Sequence, residues 1–191
     1  MRQKAAFLDR DGTIIQENGY ISKINQVEFI PGSIEAIQRL KSLGYKIIII
    51  TNQSGVAQGF FSEKSLKRVN NYLHRKLKQS KAGWDGIYFC PHHPRVGLKR
   101  YLKDCECRKP KTGLIKQAVK KHKLQLKGSV AIGDKLTDVG LGKNAKIKSI
   151  LLLTGYGKKE AQKIGKVPKS KPDFIAHNLL DAVKYLEKQK D

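Results

Sequence analysis

The chain has 191 residues, of which 39% are hydrophobic and 29% charged, proportions that are ordinary for one soluble globular domain with a buried core. Lysine and arginine outnumber aspartate and glutamate by 39 to 16, which gives a formal net charge of +23 and makes nucleic acid a partner to consider. No membrane-length apolar run, long basic arm or nucleic-acid-binding signature accompanies that charge, so we expect neither a membrane nor a specific nucleic acid as partner.

Short apolar strands alternate with helix-length segments along the chain. In chain order, we predict strands at 5–8, 46–51, 86–90, 129–132, 149–153 and 174–175, and helices at about 34–43, 62–79, 112–122 and 179–188. The β-branched run at 46–51 is typical of a strand buried on both faces. Repeated strand–helix–strand units predict an α/β, Rossmann-like fold with a mainly parallel sheet flanked by helices.

The chain shows no sign of a second domain or of a targeting segment. Residues 91–110 lack apolar periodicity, but no repeat or linker divides the sequence, so we expect one domain over 1–191 with a loop at about 90–110. The first apolar stretch stops at Asp9 and is too short for a signal peptide. We therefore expect a cytoplasmic, monomeric protein with reduced thiols.

Polar clusters follow three of the predicted strands, at residues 9–13, 51–54 and 133–138. In open parallel sheets, ligands bind at the carboxyl ends of the strands. The three clusters are therefore expected to meet in one site.

The first cluster pairs two carboxylates, Asp9 and Asp11, on the turn that leaves a buried strand. One can act as a nucleophile while the other works as a general acid and base, and Gly12 permits the tight turn between them. The alternative interpretation is a turn with a capping aspartate.

The other clusters supply groups suited to phosphate and to a cation. Thr51 and the amides after it offer hydrogen-bond donors to an anion. Arg108 and Lys109 form a pair of cations that can neutralise a transferring phosphoryl group. Asp134 is a candidate ligand for magnesium, which prefers oxygen donors. Each signal is weak alone, and the combination at successive strand ends is far more specific.

All three cysteines lie between residues 90 and 107, where two short pairs can bind metal. Cys90, His92, Cys105 and Cys107 give the ligand number and softness of a structural zinc site. His93 is the rival imidazole, and the alternative interpretation is three unliganded thiols near a histidine. Zinc would order a loop that has no apolar periodicity and would fix Arg108 and Lys109, which follow the last cysteine.

In combination, these motifs resemble those of the haloacid dehalogenase-like (HAD) phosphatase superfamily and, within it, the bacterial heptose-1,7-bisphosphate 7-phosphatase family. The resemblance covers nearly the whole chain, and the motifs are DRDGT from Asp9, TNQSG from Thr51, CPHHP from Cys90, CECRKP from Cys105 and GDKLTD from Gly133. It implies the HAD fold, here without a large cap domain. It also implies zinc bound by the C-x-H and C-x-C pairs, which favours His92 over His93.

The resemblance implies a role for each carboxylate. Asp9 is the nucleophile that takes up the phosphoryl group, and Asp11 protonates the leaving oxygen and then activates water. Magnesium is held by Asp9, by the backbone carbonyl of Asp11 and by Asp134.

The resemblance also implies the contacts to the substrate. Thr51 and Lys109 would hold the phosphoryl oxygens, and Asp138 would orient Lys135 or the metal site. The residues implied for substrate binding are Glu17, Asn18, Gly19, Tyr20, Asn52, Gln53, Ser54, Arg108 and Lys135.

The expected activity is magnesium-dependent removal of the 7-phosphate of D-glycero-D-manno-heptose 1,7-bisphosphate, a small phosphorylated sugar, on a route toward lipopolysaccharide. The alternative within the same branch is a histidinol-phosphate phosphatase, since the catalytic residues contact only the phosphoryl group. A nucleic-acid-binding protein or a polynucleotide 3′-phosphatase is the alternative that the net charge suggests.

Overall fold

The computed structural model describes residues 3–189 and contains one six-stranded, entirely parallel sheet. The strands are β1 Lys4–Leu8, β2 Lys46–Asn52, β3 Gly86–Cys90, β4 Gln125–Gly133, β5 Lys148–Leu152 and β6 Phe174–Ala176. Their order across the sheet is β3-β2-β1-β4-β5-β6. In the centre, Phe7 of β1 pairs with Ile48 of β2 and Ala131 of β4. The predicted α/β fold with a parallel sheet is confirmed.

Helices connect the strands. They are α1 Ser33–Ser42, α2 Glu63–Gln79, α3 Gly113–His122, α4 Leu136–Asn144, α5 Gly157–Ala161 and α6 Leu179–Glu187, with 3₁₀ turns at Ile24–Gln26 and Lys99–Tyr101. The four predicted helices are present, whereas α4 and α5 were not predicted. Across residues 3–189, no helix is both long enough and apolar enough to cross a membrane.

The side chains of β1 alternate between two hydrophobic layers. Ala6 and Leu8 pack with residues of α1, α2 and α6 on one face of the sheet. Ala5 and Phe7 pack with residues of α3 and α4 on the other. Because both faces are covered, every residue of β1 from Ala5 to Leu8 is buried, as expected of a central parallel strand.

The strand order reverses direction at β1. The chain moves from β1 to β2 and β3 on one side, then crosses to β4 and continues to β5 and β6 on the other. Connections on opposite sides of such a point leave a crevice at the carboxyl ends of the strands. Asp9, Thr51 and Asp134 lie at or immediately after the ends of β1, β2 and β4, on this edge. No described segment between elements is large enough to form a cap domain over the crevice.

Candidate active site

Asp9 stands at the point where the backbone of β1 leaves the sheet. Its N–H donates a hydrogen bond to the carbonyl of Ile132, 3.0 Å away, so the start of the turn is still tied to β4. The backbone N–H of Arg10 donates to Asp9 Oδ1 at 2.7 Å. These two contacts fix the carboxylate, which is 6% exposed and lines the crevice.

Lys109 is the cation next to Asp9. Its Nζ lies 3.0 Å from Asp9 Oδ1 and 2.6 Å from Asp138 Oδ1, and it donates to the carbonyl of Ile50 at 2.8 Å. Asn52 Oδ1 accepts a hydrogen bond from the Lys109 N–H at 3.0 Å. Burial by itself lowers the pKa of Lys109, but the two carboxylates outweigh it and raise the pKa. The lysine is therefore a fixed positive charge, 3% exposed, against the candidate nucleophile.

Three carboxylates meet beneath the crevice. Asp9, Asp134 and Asp138 each offer an oxygen, and these oxygens lie within 4.8 Å of one another. Asp134 is fully buried, and its Oδ2 accepts a hydrogen bond from the N–H of Tyr156 at 2.8 Å. Its Oδ1 has no hydrogen-bond partner.

The electrostatics of this cluster fit a hard divalent cation. Burial, followed by the charges of Asp9 and Asp138, raises the pKa of Asp134 to about 8. A buried carboxylate oxygen without a partner is costly for the protein alone, whereas an oxygen ligand to a cation has its partner. The donor set is all oxygen, as magnesium prefers, so the residues present fit that metal.

The second carboxylate of the turn, Asp11, has different partners. Arg10 Nε donates to its Oδ1 at 3.0 Å, and Arg10 Nη2 donates to its Oδ2 at 2.9 Å. Gln53 Nε2 also donates to Asp11 Oδ2, at 2.8 Å, and to Thr51 Oγ1, at 3.0 Å. Arg10 was not among the predicted site residues.

On the opposite wall, Lys135 contacts Glu17 and Tyr156. Its Nζ lies 3.1 Å from Glu17 Oε2 and 4.5 Å from the centre of the Tyr156 ring. Burial lowers the pKa of Lys135, but Asp9, Asp134 and Glu17 together raise it. Lys135 is therefore a second firmly charged cation facing the crevice.

The crevice has a volume of about 460 Å³, large enough for a sugar phosphate. The predicted residues that line it are Asp9, Asp11, Glu17, Gly19, Tyr20, Thr51, Asn52, Gln53, Ser54, Lys109 and Lys135. Gly55, Thr137, Tyr156 and Glu160 line it without having been predicted. Two predicted substrate contacts, Asn18 and Arg108, are not part of the lining. The Arg108 guanidinium instead donates to the carbonyl of His92 at 3.0 Å.

The segment after β5 closes one end of the site. Thr154 Oγ1 donates to the carbonyl of Gly12 at 2.5 Å, and Tyr156 holds Asp134 through its N–H. Gly155 has φ +51°, and a Cβ there would lie 2.3 Å from Asp134 Oδ2, so only glycine fits. Applied to the predicted strand at 149–153, the strand-end rule would have identified this segment too.

The predicted zinc ligands converge into a second cluster, which adjoins the active site. Among Cys90, His92, Cys105 and Cys107, the ligand atoms lie within 4.8 Å of one another. The sulfurs of Cys105 and Cys107 lie 3.1 Å apart, and Cys90 Sγ lies 3.8 Å from His92 Nδ1. Ligands of tetrahedral zinc with bonds of about 2.3 Å lie roughly 3.7 Å apart. Three thiols and an imidazole at this spacing fit a structural zinc ion.

The rival imidazole has another role. His93 Nδ1 accepts hydrogen bonds from the backbone N–H groups of Arg95 and Val96, at 3.2 and 3.1 Å. His93 therefore stabilises a turn of the loop. Of the two adjacent histidines, only His92 belongs to the cluster of possible metal ligands among the described residues.

Comparisons with known proteins agree with this geometry. The HAD-hydrolase-like family profile matches residues 106–182. The D-glycero-beta-D-manno-heptose-1,7-bisphosphate 7-phosphatase of Pasteurella multocida is 45% identical over 165 residues, covering 83% of this chain and 89% of that protein. The D-glycero-alpha-D-manno-heptose-1,7-bisphosphate 7-phosphatase of Photorhabdus laumondii is 40% identical over 188 residues, covering 96% and 97% of the two chains.

A solved structure extends the agreement to three dimensions. The D,D-heptose 1,7-bisphosphate phosphatase of B. bronchiseptica, crystallised with magnesium and phosphate, matches with a TM-score of 0.83 at 30% identity. The match covers 97% of this chain and 99% of that one. With its HAD-like fold and strand-end carboxylates, the chain belongs to the D-glycero-D-manno-heptose-1,7-bisphosphate 7-phosphatase family of HAD-like hydrolases and is a phosphatase.

Proposed function

We propose that this phosphatase is magnesium-dependent and removes the 7-phosphate of D-glycero-D-manno-heptose 1,7-bisphosphate through an aspartyl-phosphate intermediate. The observation that carries the proposal is the arrangement around Asp9. A buried lysine touches one oxygen of this carboxylate, and Asp134, with an unpartnered oxygen, lies beside it. The relatives matched over most of the chain support the substrate by their names.

In the first step, a carboxylate oxygen of Asp9 attacks phosphorus and the bond from phosphorus to the sugar oxygen breaks. The electron pair goes to that oxygen, which takes a proton from the Asp11 carboxyl group. Lys109 lies against Asp9, and Lys109 and Thr51, which both line the crevice, would hold the phosphoryl oxygens while charge spreads over them.

In the second step, water attacks the phosphorus of the aspartyl phosphate. Asp11, now a carboxylate, accepts the proton of the water, the bond between phosphorus and Asp9 breaks, and inorganic phosphate leaves. Both carboxyl groups return to their starting protonation, so the cycle balances.

Asp9, Asp134 and the backbone carbonyl of Asp11 would hold the magnesium ion. When bound, magnesium neutralises phosphoryl charge and orients the phosphate for in-line attack. Asp138 contributes by holding two cations of the site. Its Oδ1 contacts Lys109 at 2.6 Å, and its Oδ2 accepts a hydrogen bond from the Lys135 backbone N–H at 3.1 Å.

The remainder of the sugar phosphate would occupy the wall formed by Glu17, Tyr20 and Lys135. Lys135 supplies charge for a second phosphate, and the Tyr20 ring packs on Phe60 with ring centres 4.4 Å apart. We further propose a structural zinc ion at the Cys/His cluster. The reaction would take place in the cytoplasm, as a step toward the activated heptose of lipopolysaccharide.

A phosphate-release panel tests the function. The substrates are heptose 1,7-bisphosphate in both anomeric forms, histidinol phosphate and a 3′-phosphorylated oligonucleotide, each with and without magnesium. We expect magnesium-dependent turnover of the bisphosphate with the highest kcat/KM. A preference for histidinol phosphate or for the oligonucleotide would overturn the substrate assignment and leave the phosphatase assignment intact.

Asp9→Asn is the variant for the nucleophile, and Asp104→Asn is its matched control. Asp104 is an exposed residue whose side chain contacts Lys111 on the surface. We expect the first variant to lose essentially all turnover and the second to keep it. Full turnover by Asp9→Asn would show that the nucleophile is another group.

A further inference from the structure

Arg10 lies between the two catalytic carboxylates in the sequence and is 0% exposed in the structure. A guanidinium removed from water is costly unless its donors are paired with good geometry. Since a solvated arginine would avoid that cost, its complete burial beside the nucleophile needs a compensating role.

The partners of Arg10 define that role. Two parallel hydrogen bonds, of 3.0 and 2.9 Å, join Nε and Nη2 to the two oxygens of Asp11. Nη1 donates to Asn70 Oδ1 of α2 at 2.7 Å, and Nη2 also reaches Gln53 Oε1 at 3.3 Å. One side of the guanidinium is thus hydrogen-bonded to Asn70 of α2, and the other side is hydrogen-bonded to Asp11.

A two-point contact of this kind fixes the plane of a carboxylate as well as its position. Asp11 precedes Gly12, which has φ +73° on a tight turn, and the side chain of Asp11 is 12% exposed at the crevice. Without Arg10, Gln53 is the remaining side-chain donor to Asp11 among the described residues, and it contacts one oxygen only.

We propose that Arg10 is the positioning residue of the acid–base step. It holds the Asp11 carboxyl group in the orientation needed to give a proton to the leaving oxygen. The proposal rests on the role of Asp11 in the proposed function. Arg10 does not line the crevice, so it would act on the substrate only through Asp11.

This role has a signature that a purely structural role lacks. A sugar alkoxide is a poor leaving group and needs the proton, whereas 4-nitrophenolate leaves without one. The parameter kcat/KM reports the steps up to the first bond cleavage, so it isolates protonation of the leaving group from later hydrolysis. Loss of positioning must therefore lower kcat/KM for the sugar phosphate far more than for 4-nitrophenyl phosphate.

The experiment compares Arg10→Lys, Asn70→Ala and Asp11→Asn on heptose 1,7-bisphosphate and 4-nitrophenyl phosphate. Lysine keeps the charge but offers no planar fork. We expect Arg10→Lys to lower kcat/KM for the bisphosphate by about 30- to 100-fold, within the range of general acid catalysis, and for the aryl phosphate by less than about threefold. Asn70→Ala, which removes only the support behind the guanidinium, should show the same contrast at roughly three- to tenfold.

Arg75→Lys is the matched control, because Arg75 is an exposed arginine of α2. It should leave kcat/KM unchanged for both substrates. Equal losses on both substrates, or no loss, in Arg10→Lys would overturn the proposal while Asp11→Asn still shows the contrast. If Asp11→Asn also lacks the contrast, the role assigned to Asp11 is wrong, and the proposal for Arg10 is overturned with it. Thermal unfolding monitors folding of every variant, and if Arg10→Lys does not fold, the contrast in Asn70→Ala decides.

Discussion

At the scale of single residues, three carboxylates of one site differ only in what surrounds them. Asp9 contacts Lys109, Asp11 is gripped by Arg10, and Asp134 keeps one oxygen without a partner. Those neighbours fit the roles proposed for them, which are nucleophile, oriented acid and metal ligand. Function at this scale is a matter of partners, since the side chains themselves are identical.

Because one oxygen of Asp134 has no partner, we predict that this residue lowers the stability of the metal-free protein and is needed for magnesium binding. Its pKa of about 8 in the folded chain lies far above the value of roughly 4 for an unfolded aspartate. Between these values the folded state binds a proton that the unfolded state does not, so stability falls as pH rises from about 4 to about 8. We expect Asp134→Asn, without magnesium, to be more stable than the unmodified protein by about 1–3 kcal/mol at about pH 8.

Urea unfolding in magnesium-free buffer without chelator, at about pH 5 and about pH 8, measures this difference, which should shrink at the lower pH. Millimolar magnesium should then raise the melting temperature of the unmodified protein but not that of the variant. Asp104→Asn, which alters an exposed carboxylate, serves as the control. A variant less stable than the unmodified protein at the higher pH would contradict the expectation.

The sequence predicts those site residues whose place is set by their position at the end of a strand. Asp9, Thr51 and Asp134 follow from the rule that ligands bind at strand ends. Lys109 could not be singled out among 39 basic residues without the resemblance to a known family. Arg10 escaped prediction because a buried arginine is identified by its partners, and Asn70 and Gln53 are 60 and 43 residues away in sequence.

At the scale of elements, the loop between β3 and α3 carries Lys109 into the site. The loop is held at several points: the Leu98 N–H donates to the carbonyl of Ala57, and Asn52 binds the backbone of Lys109. Cys107 lies two residues before Lys109, so a metal ion at the cluster would limit the motion of this lysine. Hydrophobic packing of the loop is only partial, because Tyr101 packs against an apolar cluster whereas Val96, Leu98 and Leu102 are exposed.

Adjacent histidines provide a sharp test of this metal. Because His92 joins the thiol cluster whereas His93 caps a turn of the loop, His92→Ala should lose zinc and His93→Ala should keep about one ion per chain. Metal analysis after dialysis gives the stoichiometry. We also expect a lower melting temperature and lower kcat for His92→Ala, as the loop loses its constraint.

The outcome that would count against this assignment is the reverse pattern, or equal zinc in both variants. Cys105→Ser combined with Cys107→Ser should abolish zinc binding and so confirms that the thiols hold the ion. Loss of zinc with unchanged kcat would mean that the metal contributes to stability only and does not position Lys109.

Helix α4 shows where prediction from local sequence fails. Its sequence contains Gly140 and Gly142, which are poor helix formers. In the fold they are required: a Cβ at Gly140 would lie 2.9 Å from Pro110 Cβ, and one at Gly142 would lie 2.7 Å from Ser149 Cβ. Close packing overrides propensity here, and that packing is not visible along the chain. The strands were easier to predict because burial on both faces makes them continuously apolar.

At the scale of the whole molecule, the charges are unevenly distributed. Six of the 16 acidic residues lie at the active site, in the carboxylate cluster or lining the crevice: Asp9, Asp11, Glu17, Asp134, Asp138 and Glu160. The remainder of the chain is therefore even more basic than its net charge of +23 indicates. An anionic substrate therefore approaches a molecule whose surface is mostly positive, and inside the crevice Lys109 and Lys135 lie beside the carboxylates.

This distribution predicts that association with the substrate depends on salt. Long-range attraction is screened over about 10 Å at 0.1 M ionic strength, and exposed charges act mainly on encounter. Between about 20 and 200 mM NaCl, we expect kcat/KM for the bisphosphate to fall by roughly three- to tenfold while kcat stays nearly constant. The buried contacts of Lys109 are screened far less, so the chemical step should not respond. Heptose 7-phosphate, which carries one phosphate fewer, is the matched control and should show a shallower dependence. A flat profile for both substrates would mean that the basic surface does not guide them, and a fall in kcat would place the salt effect inside the site.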